Sequence, residues 1–492
     1  MVEAQPTIVM ANCCHNVYDS LHKRYLKTMP EYRRDVVDVA LVEKIKSNLV
    51  DRLKRILDAD TNQDLIAEKA WFDDFLLRKS GQLRSRYAKA ARSVMNNGFR
   101  HGRDDDIAAF VKNERYYERG KAARMIMGRN PKFGIFYAKV IEPIERAFFK
   151  LKQVANACDY FSCGEKFTEL LGGWFMENDM SKFEASQRPE VLRWEYDVYA
   201  ALCPDKELLD KCFAAKLVKK GHTTSGVSFV FDWCRGSGDM DTSLGNGILN
   251  YIATQYFLIK NYCPNCRFED CDLPTCRSYK FVVKGDDSYS SIPKCESYIN
   301  TYEHFGFDAK VLIKKDPHDV EFCSGRFLEY QPGKYYYVQN LRKLLTSLTT
   351  VINTDMLKHG WVGHYYKSLG LMYRKLYSGI PIYEDLAEWL CGVNNSHGLN
   401  INLVNSYNLL DAFRNYGDVK IQCNSTVLIS IAMINDLQIP ELNAIKSFFT
   451  RTKLLLPASM NRRCNIKSKP RNQTESFDYT ILKEEFRAAP LT

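Results

Sequence analysis

Phe281-Val-Val-Lys-Gly-Asp-Asp-Ser-Tyr289 reads as an apolar strand, a glycine turn carrying two adjacent acids, and the start of a second strand. Two carboxylates side by side at the tip of a rigid hairpin are costly unless something cationic sits there. Their hard oxygen donors suit a divalent ion, Mg²⁺ or Mn²⁺. On its own, Gly285-Asp286-Asp287 is a common tripeptide, and an Asp-rich hairpin turn is its simpler reading. Its weight comes from the segments that precede it, in order, along the chain.

Composition sets the frame. The chain has 492 residues, enough for several domains or one large multi-part enzyme. Apolar content of 45% and charged content of 26% are those of a folded protein. The net charge of +10 suits a polyanionic partner. With 29 Tyr and 27 Phe there are rings to stack on bases, although most must fill the core. The 16 cysteines follow no disulfide-like spacing and no secretory start precedes them, so a reducing, cytosolic setting is expected. No apolar run is long enough to span a membrane; Thr426–Met433 is far too short. Membrane attachment therefore calls for a partner or an interfacial helix.

Hydrophobic spacing organises the chain. Val36, Val37, Ala40, Leu41, Ile45, Leu49, Leu53 and Ile56 recur at helical intervals within a helical 1–60 region. Residues 80–135 are basic and rich in glycine, which predicts a loop-rich surface. Residues 173–200 read as a strand, an acidic tip and a helix from about Pro189, and 226–262 repeat that order. From 335 to 450 the pattern is mostly helical, and the polar, basic tail from Pro457 is expected to be flexible.

Three acidic elements follow strand ends: Trp174-Phe-Met-Glu-Asn-Asp-Met-Ser-Lys-Phe-Glu184, Gly236-Ser-Gly-Asp-Met-Asp-Thr-Ser-Leu-Gly-Asn246, and Gly285-Asp-Asp287. Asp179 at the end of one strand can face Asp286 on its neighbour, the arrangement that shares two metal ions about 4 Å apart in nucleotidyl transfer. Thr242 and Asn246, four apart, fall on one helix face. Gly236 and Gly238 make the loop before that helix deformable.

The order D-x4-[DE], S-G-x3-T-x3-N, G-D-D resembles motifs A, B and C of viral RNA-dependent RNA polymerases. Upstream, Ser80-Gly-Gln-Leu-Arg-Ser-Arg-Tyr-Ala-Lys-Ala-Ala91 is similar to the template-guiding motif G of the tombusvirus-like group. Phe110-Val-Lys-Asn-Glu114 and Ala123-Arg-Met-Ile-Met-Gly-Arg-Asn-Pro131 resemble its motif F. Phe305–Val311 and Val320–Ser324 resemble motifs D and E. The resemblance covers about 80–330 and thins beyond it.

It implies an α+β right hand with an antiparallel palm sheet and a helical thumb. Residues 1–165 and 200–225 would form the N-terminal region and fingers, 166–199 and 226–330 the palm, 331–456 the thumb and 457–492 the tail. It implies Asp179, Asp286 and Asp287 at two Mg²⁺ or Mn²⁺ ions, and Lys310 as proton donor to pyrophosphate, with Lys314 and Lys315 as competitors. Arg124 and Arg129 would lie along the triphosphate, with Lys112 and Lys121 helping, because a guanidinium grips phosphate oxygens in pairs. Ser237, Thr242, Asn246 and Glu184 would read the ribose, and Ser80 and Gly81 would line the template entry. Implied partners are single-stranded template, nascent RNA, NTPs and membrane-anchoring replication proteins, in cytoplasmic, membrane-associated complexes of the host. The family usually has Asp where this chain has Glu184, which moves the carboxylate by about 1.5 Å and puts the geometry of ribose selection in question.

Two other readings compete. A reverse transcriptase shares the palm, but Asn246 and Gly285 disfavour it. A non-catalytic RNA-binding protein with a polymerase shell is disfavoured by Asp179, Asp286, Asp287 and Arg124 together. Apart from the motifs, Cys263, Cys266, Cys271 and Cys276 form a C-x2-C-x4-C-x4-C run. Tetrahedral Zn²⁺ takes such a set, but the later spacings are less typical and the family pattern does not call for them. Reduced thiols in a loop, or a disulfide, are the alternatives.

Overall fold

The computed structural model describes residues 8–454 apart from 27–28, 61–71, 73, 78, 80, 101, 113, 117–120, 233, 264–279, 349–360, 394–397, 405–406 and 418. Ser80, Cys266, Cys271, Cys276 and the 457–492 tail therefore lie outside the described residues.

The acidic hairpin forms as its sequence requires. Strands Lys280–Lys284 and Asp287–Ile292 pair antiparallel, with Lys284 opposite Asp287, leaving Gly285 and Asp286 as a two-residue turn. Gly285 takes φ +61 and Asp286 keeps a negative φ, the signs of a type II′ turn with glycine in first position. Trp174–Met180 adds to Asp287–Ile292, and Ala309–Lys314 pairs with its other edge, completing a four-stranded antiparallel sheet.

Both faces of this sheet are covered, which explains the unbroken apolar run Phe281-Val-Val283. Phe281, Val283, Met176 and Ile292 pack into one core; Val282, Phe175 and Tyr289 point the other way into a second. The first core is centred on helix Thr242–Tyr262, buried continuously from Leu244 to Ile259. Helix Pro131–Phe149 packs there too, started by Asn130, whose side chain accepts from Lys132 N at 3.0 Å, and by proline at its first turn. Helix Val39–Asp60 adds buried Leu41, Ile45, Leu49 and Leu53, as the spacing predicts. Before it, the described helical residues are Cys14–Ser20 and a wider turn over Leu21–Tyr25.

A second four-stranded sheet runs in the order Met125–Arg129, Ile107–Val111, Val218–Thr223, Ser228–Asp232. Ile107–Val111 and Val218–Thr223 are parallel, so segments more than a hundred residues apart share one sheet. The 80–135 region is correspondingly less loop-rich than its glycines suggest. Gly81–Asn97 is a helix with Ala90, Ala91 and Val94 buried, and it stops at Gly98 in the left-handed region, φ +68. The glycines there punctuate elements rather than dissolve them.

The helical part begins later than residue 331. Gly325–Gln331 and Lys334–Gln339 pair as a hairpin around Pro332-Gly333, with Gly333 at φ +70, and Glu321–Phe322 adds to it. Tyr335, Tyr336, Tyr337 and Val338 are buried β-formers, so the run continues a sheet instead of opening a helix. Helix Tyr160–Thr168 lies on this hairpin through Gly164, where a Cβ would come within 2.7 Å of Tyr336 Cα. Helices Leu341–Leu348, Val362–Leu376, Tyr383–Cys391, Tyr407–Arg414, Ser425–Ile434 and Ile439–Arg451 follow. Among the described residues, no helix is long and apolar enough to cross a membrane.

Candidate active site

The sheet brings the acids together. Asp179 is the penultimate residue of Trp174–Met180, one step beyond the Asn178–Ser288 pair, so it stands beside the hairpin tip. Its register partner on the outer strand is Lys310, and both side chains are exposed. Below them the polar supports are buried: Ser288 bonds Asn178, and Asn250 donates to the carbonyls of Gly285 and Asp287, both at 3.1 Å. The central helix thus holds the turn from behind. Asn250 belongs to no motif of the sequence, although it lies one helical turn past Asn246 on the same helix.

The acids feel one another. Burial and then the charges of Glu184 and Asp287 push Asp286 up to about 7, against the pull of Arg124. Burial, Asp179 and Glu321 raise Asp287, opposed by a hydrogen bond with Cys323 and by Lys343. Among the described residues no three His, Cys, Asp or Glu side chains form a ready cage for a metal ion. The donor set is nonetheless that of a divalent cation: hard carboxylates whose mutual repulsion such an ion relieves.

Beside the acids lies a cleft lined by Arg24, Tyr25, Arg124, Lys182, Glu184 and Ser237. Ser237 donates to Glu184 at 3.1 Å, so the second acid of the 174–184 segment and the serine of the glycine loop meet as a pair. Arg124 is 44% exposed, and Glu114 ties it to its neighbour: Lys112 Nζ reaches Glu114 at 2.9 Å, and Arg124 Nε at 4.0 Å. Lys121 is exposed on the same approach to the strand. Arg24 and Lys182 add positive charge that sequence reading missed. Lys182 had a local signal, lying between Asp179 and Glu184; Arg24 comes from a remote helix and had none.

Other residues are placed differently from expectation. Arg129 does not face the cleft. Its guanidinium pairs with Asp239 at 2.8 Å and donates to the carbonyls of Asp105 and Ala215, in a setting that leaves it 6% exposed. The Thr242 hydroxyl is engaged within its own loop. It donates to Asp239 O at 2.7 Å, lies 3.1 Å from Gly236 O and accepts from Gly238 N, bracing the glycine loop. Asn246 is buried and accepts from Gln187 at 2.8 Å. Gly81 opens the Gly81–Asn97 helix. Cys263 closes the central helix, and the other three cysteines of its run lie outside the described residues.

Beneath the glycine loop is a cluster of buried charge that sequence did not foretell. Arg235 bonds Glu195 and Asp241, Lys216 bonds the same two acids, and Lys219 holds Asp239 at 2.9 Å. Tyr137 donates to Asp241 at 2.6 Å. Lys216 and Arg235 hold Asp241 well below the usual carboxylate range despite its burial.

The sequence matches the family model described as viral RNA dependent RNA polymerase over residues 1–410. It is similar to the RNA-directed RNA polymerase of Groundnut rosette virus (strain MC1), 26% identical over 350 residues, covering 66% of this chain and 39% of that protein. The corresponding protein of Cucumber necrosis virus is 24% identical over 313 residues, 58% of this chain and 36% of that protein. That of Melon necrotic spot virus is 24% identical over 407 residues, 77% and 49% respectively. The chain thus spans less than half the length of these relatives. With more than half of its residues in a single match and the acids, glycine loop and basic cleft gathered at one place, the chain belongs to the viral RNA-dependent RNA polymerase family.

Proposed function

We propose that the chain catalyses template-directed RNA synthesis from NTPs and replicates a viral RNA genome. The observation that carries the reading is the meeting of Asp179, the Gly285-Asp286-Asp287 turn and the Glu184–Ser237 pair beside a basic cleft. Asp179, Asp286 and Asp287 would hold Mg²⁺ or Mn²⁺. When bound, such ions supply activation of a 3′-hydroxyl and neutralisation of departing pyrophosphate. The chain's own groups do the rest. Arg124, Arg24 and Lys182 in the cleft, with Lys112 nearby, bind the triphosphate. Lys310, exposed beside Asp179, donates a proton to the leaving group. Ser237, Glu184 and Asn246 select the sugar.

The proposed architecture is a right hand. The sheet of Asp179 and Asp286 is its palm, the Ile107–Asp232 sheet and neighbouring helices its fingers, and the helices from 341 its thumb. Template and product RNA, NTPs and membrane-anchoring replication proteins are its proposed partners, in membrane-associated complexes of the host cytoplasm. A structural Zn²⁺ at Cys263, Cys266, Cys271 and Cys276 would tie a loop without catalytic duty; elemental analysis of purified protein decides it. The activity is tested by labelled NTP incorporation on an RNA template, with and without primer, with Mg²⁺ or Mn²⁺, and with dNTPs in parallel. Absence of metal-dependent incorporation overturns the proposal.

A further inference from the structure

Gln187 is fully buried between the short helix Phe183–Ser186 and helix Pro189–Leu202. Its amide is held at both ends. Arg235 Nε donates to Gln187 Oε1 at 2.8 Å, and Gln187 Nε2 donates to Asn246 Oδ1 at 2.8 Å. Chemistry dictates the order of atoms along this relay. A guanidinium N–H can only donate, so Gln187 must turn its carbonyl to Arg235 and its NH₂ to Asn246. Asn246 must then turn its own carbonyl to Gln187. An asparagine without such a neighbour is free to turn either way. Here the choice is made two residues away, by a group that has no alternative.

Arg235 is itself locked. Its guanidinium bonds Glu195 and Asp241, and Gly245 leaves it the room that a Cβ would take. Its backbone N–H donates to Glu184 O at 2.9 Å, so one residue braces both the turn carrying Glu184 and the amide of Asn246. The side-chain Nδ2 of Asn246 has no hydrogen-bond partner among the described residues and is not one of their sealed, unsatisfied atoms.

We propose that Gln187 is a positioning residue for selecting ribose over deoxyribose. The Arg235–Gln187–Asn246 relay fixes the Asn246 amide so that Nδ2, a donor, is offered to the 2′-oxygen of the incoming nucleotide. The proposal rests on the polymerase reading of the site. A donor held in advance makes no choice at the moment of binding, and an absent 2′-oxygen leaves it unpaired.

Gln187→Glu in the full chain is the test. Glutamate is nearly isosteric and still accepts from Arg235, but its carboxylate cannot donate to Asn246. Asn246 must then turn Nδ2 inward and offer Oδ1, an acceptor that competes with the Glu184 carboxylate for the single proton of the 2′-hydroxyl and leaves the 2′-oxygen without a donor. The substitution suits the surroundings, because four buried cations, Arg129, Lys216, Lys219 and Arg235, face three carboxylates there, Glu195, Asp239 and Asp241. The readouts are kcat/KM for UTP and dUTP, and the melting temperature. The preference for UTP should fall about fivefold or more, the worth of roughly one hydrogen bond. The Gln187→Glu, Asn246→Ala double variant should discriminate no worse than Asn246→Ala alone. An unchanged preference, additive losses in the double variant, or a Gln187→Glu chain that does not fold overturns the role given to Gln187. A wild-type chain that incorporates neither nucleotide defeats the polymerase reading instead, and this proposal with it.

Discussion

The hydroxyl of Ser237 donates to the carboxylate of Glu184 across 3.1 Å and 53 residues of sequence. The longer acid is therefore not idle where the family usually has Asp: its extra methylene is used to reach the glycine loop. Glu184→Asp withdraws the carboxylate by about 1.5 Å and should narrow the preference for NTP over dNTP. Glu184→Gln keeps an acceptor for the serine and should retain more of that preference. Competition between UTP and dUTP on one template reads both; equal ratios in wild type and Glu184→Asp would remove Glu184 from sugar selection.

Asp286→Ala should abolish synthesis while RNA affinity stays within about twofold, since metal chemistry and phosphate-backbone attraction are separate contributions. Incorporation and RNA binding are to be measured on one preparation at one salt concentration. Residual synthesis at a tenth of wild type or more would displace Asp286 from the metal site.

The two arginines of one strand region should behave oppositely. Arg124 is half-exposed at the cleft, so Arg124→Ala should raise KM for NTPs about tenfold with little change in melting temperature. Arg129 is buried with Asp239, so Arg129→Ala leaves that carboxylate with Lys219 as its remaining partner and removes the donor to the carbonyls of Asp105 and Ala215, and should cost on the order of 2–3 kcal/mol of stability. Thermal melts beside steady-state kinetics separate the two. An Arg129→Ala protein that melts normally but binds NTPs poorly would reverse the assignment.

Thr242 offers a rescue test. Thr242→Val removes the hydroxyl that braces Gly236, Gly238 and Asp239, and should reduce incorporation by loosening Ser237. Thr242→Ser keeps the hydroxyl and should restore most of it. If serine is no better than valine, the brace is not what Thr242 contributes.

The hairpin was legible because it is local. A short apolar run, a glycine turn and paired acids are signals read within a few residues, and the strand–loop–helix order of 173–200 and 226–262 was legible for the same reason. The Gly81–Asn97 helix is masked in the sequence by the glycines at its two ends, Gly81 and Gly98. The Tyr335–Val338 strand was obscured by the helical pattern that follows, although Pro332-Gly333 signals its turn. The buried charge cluster had no local signal. Lys216 ends a helix, Lys219 sits on a strand, and Arg235, Asp239 and Asp241 surround the glycine loop, so only their shared burial makes them partners.

Sequence alone determined the kind of groups this protein has and much of what carries them: acidic elements at strand ends, a glycine loop opening a helix, and a basic segment upstream. Those features are written in period, spacing and turn chemistry, which depend on neighbours a few residues away. Tertiary structure decided which of the matching residues faces the cleft. It turned Arg124 out and Arg129 in, spent the Thr242 hydroxyl on its own loop, and ordered the amides of Gln187 and Asn246 through a buried arginine. The reason is that a charged or polar side chain must be satisfied wherever burial leaves it, and its partner is set by the packing of distant segments rather than by its position in the chain.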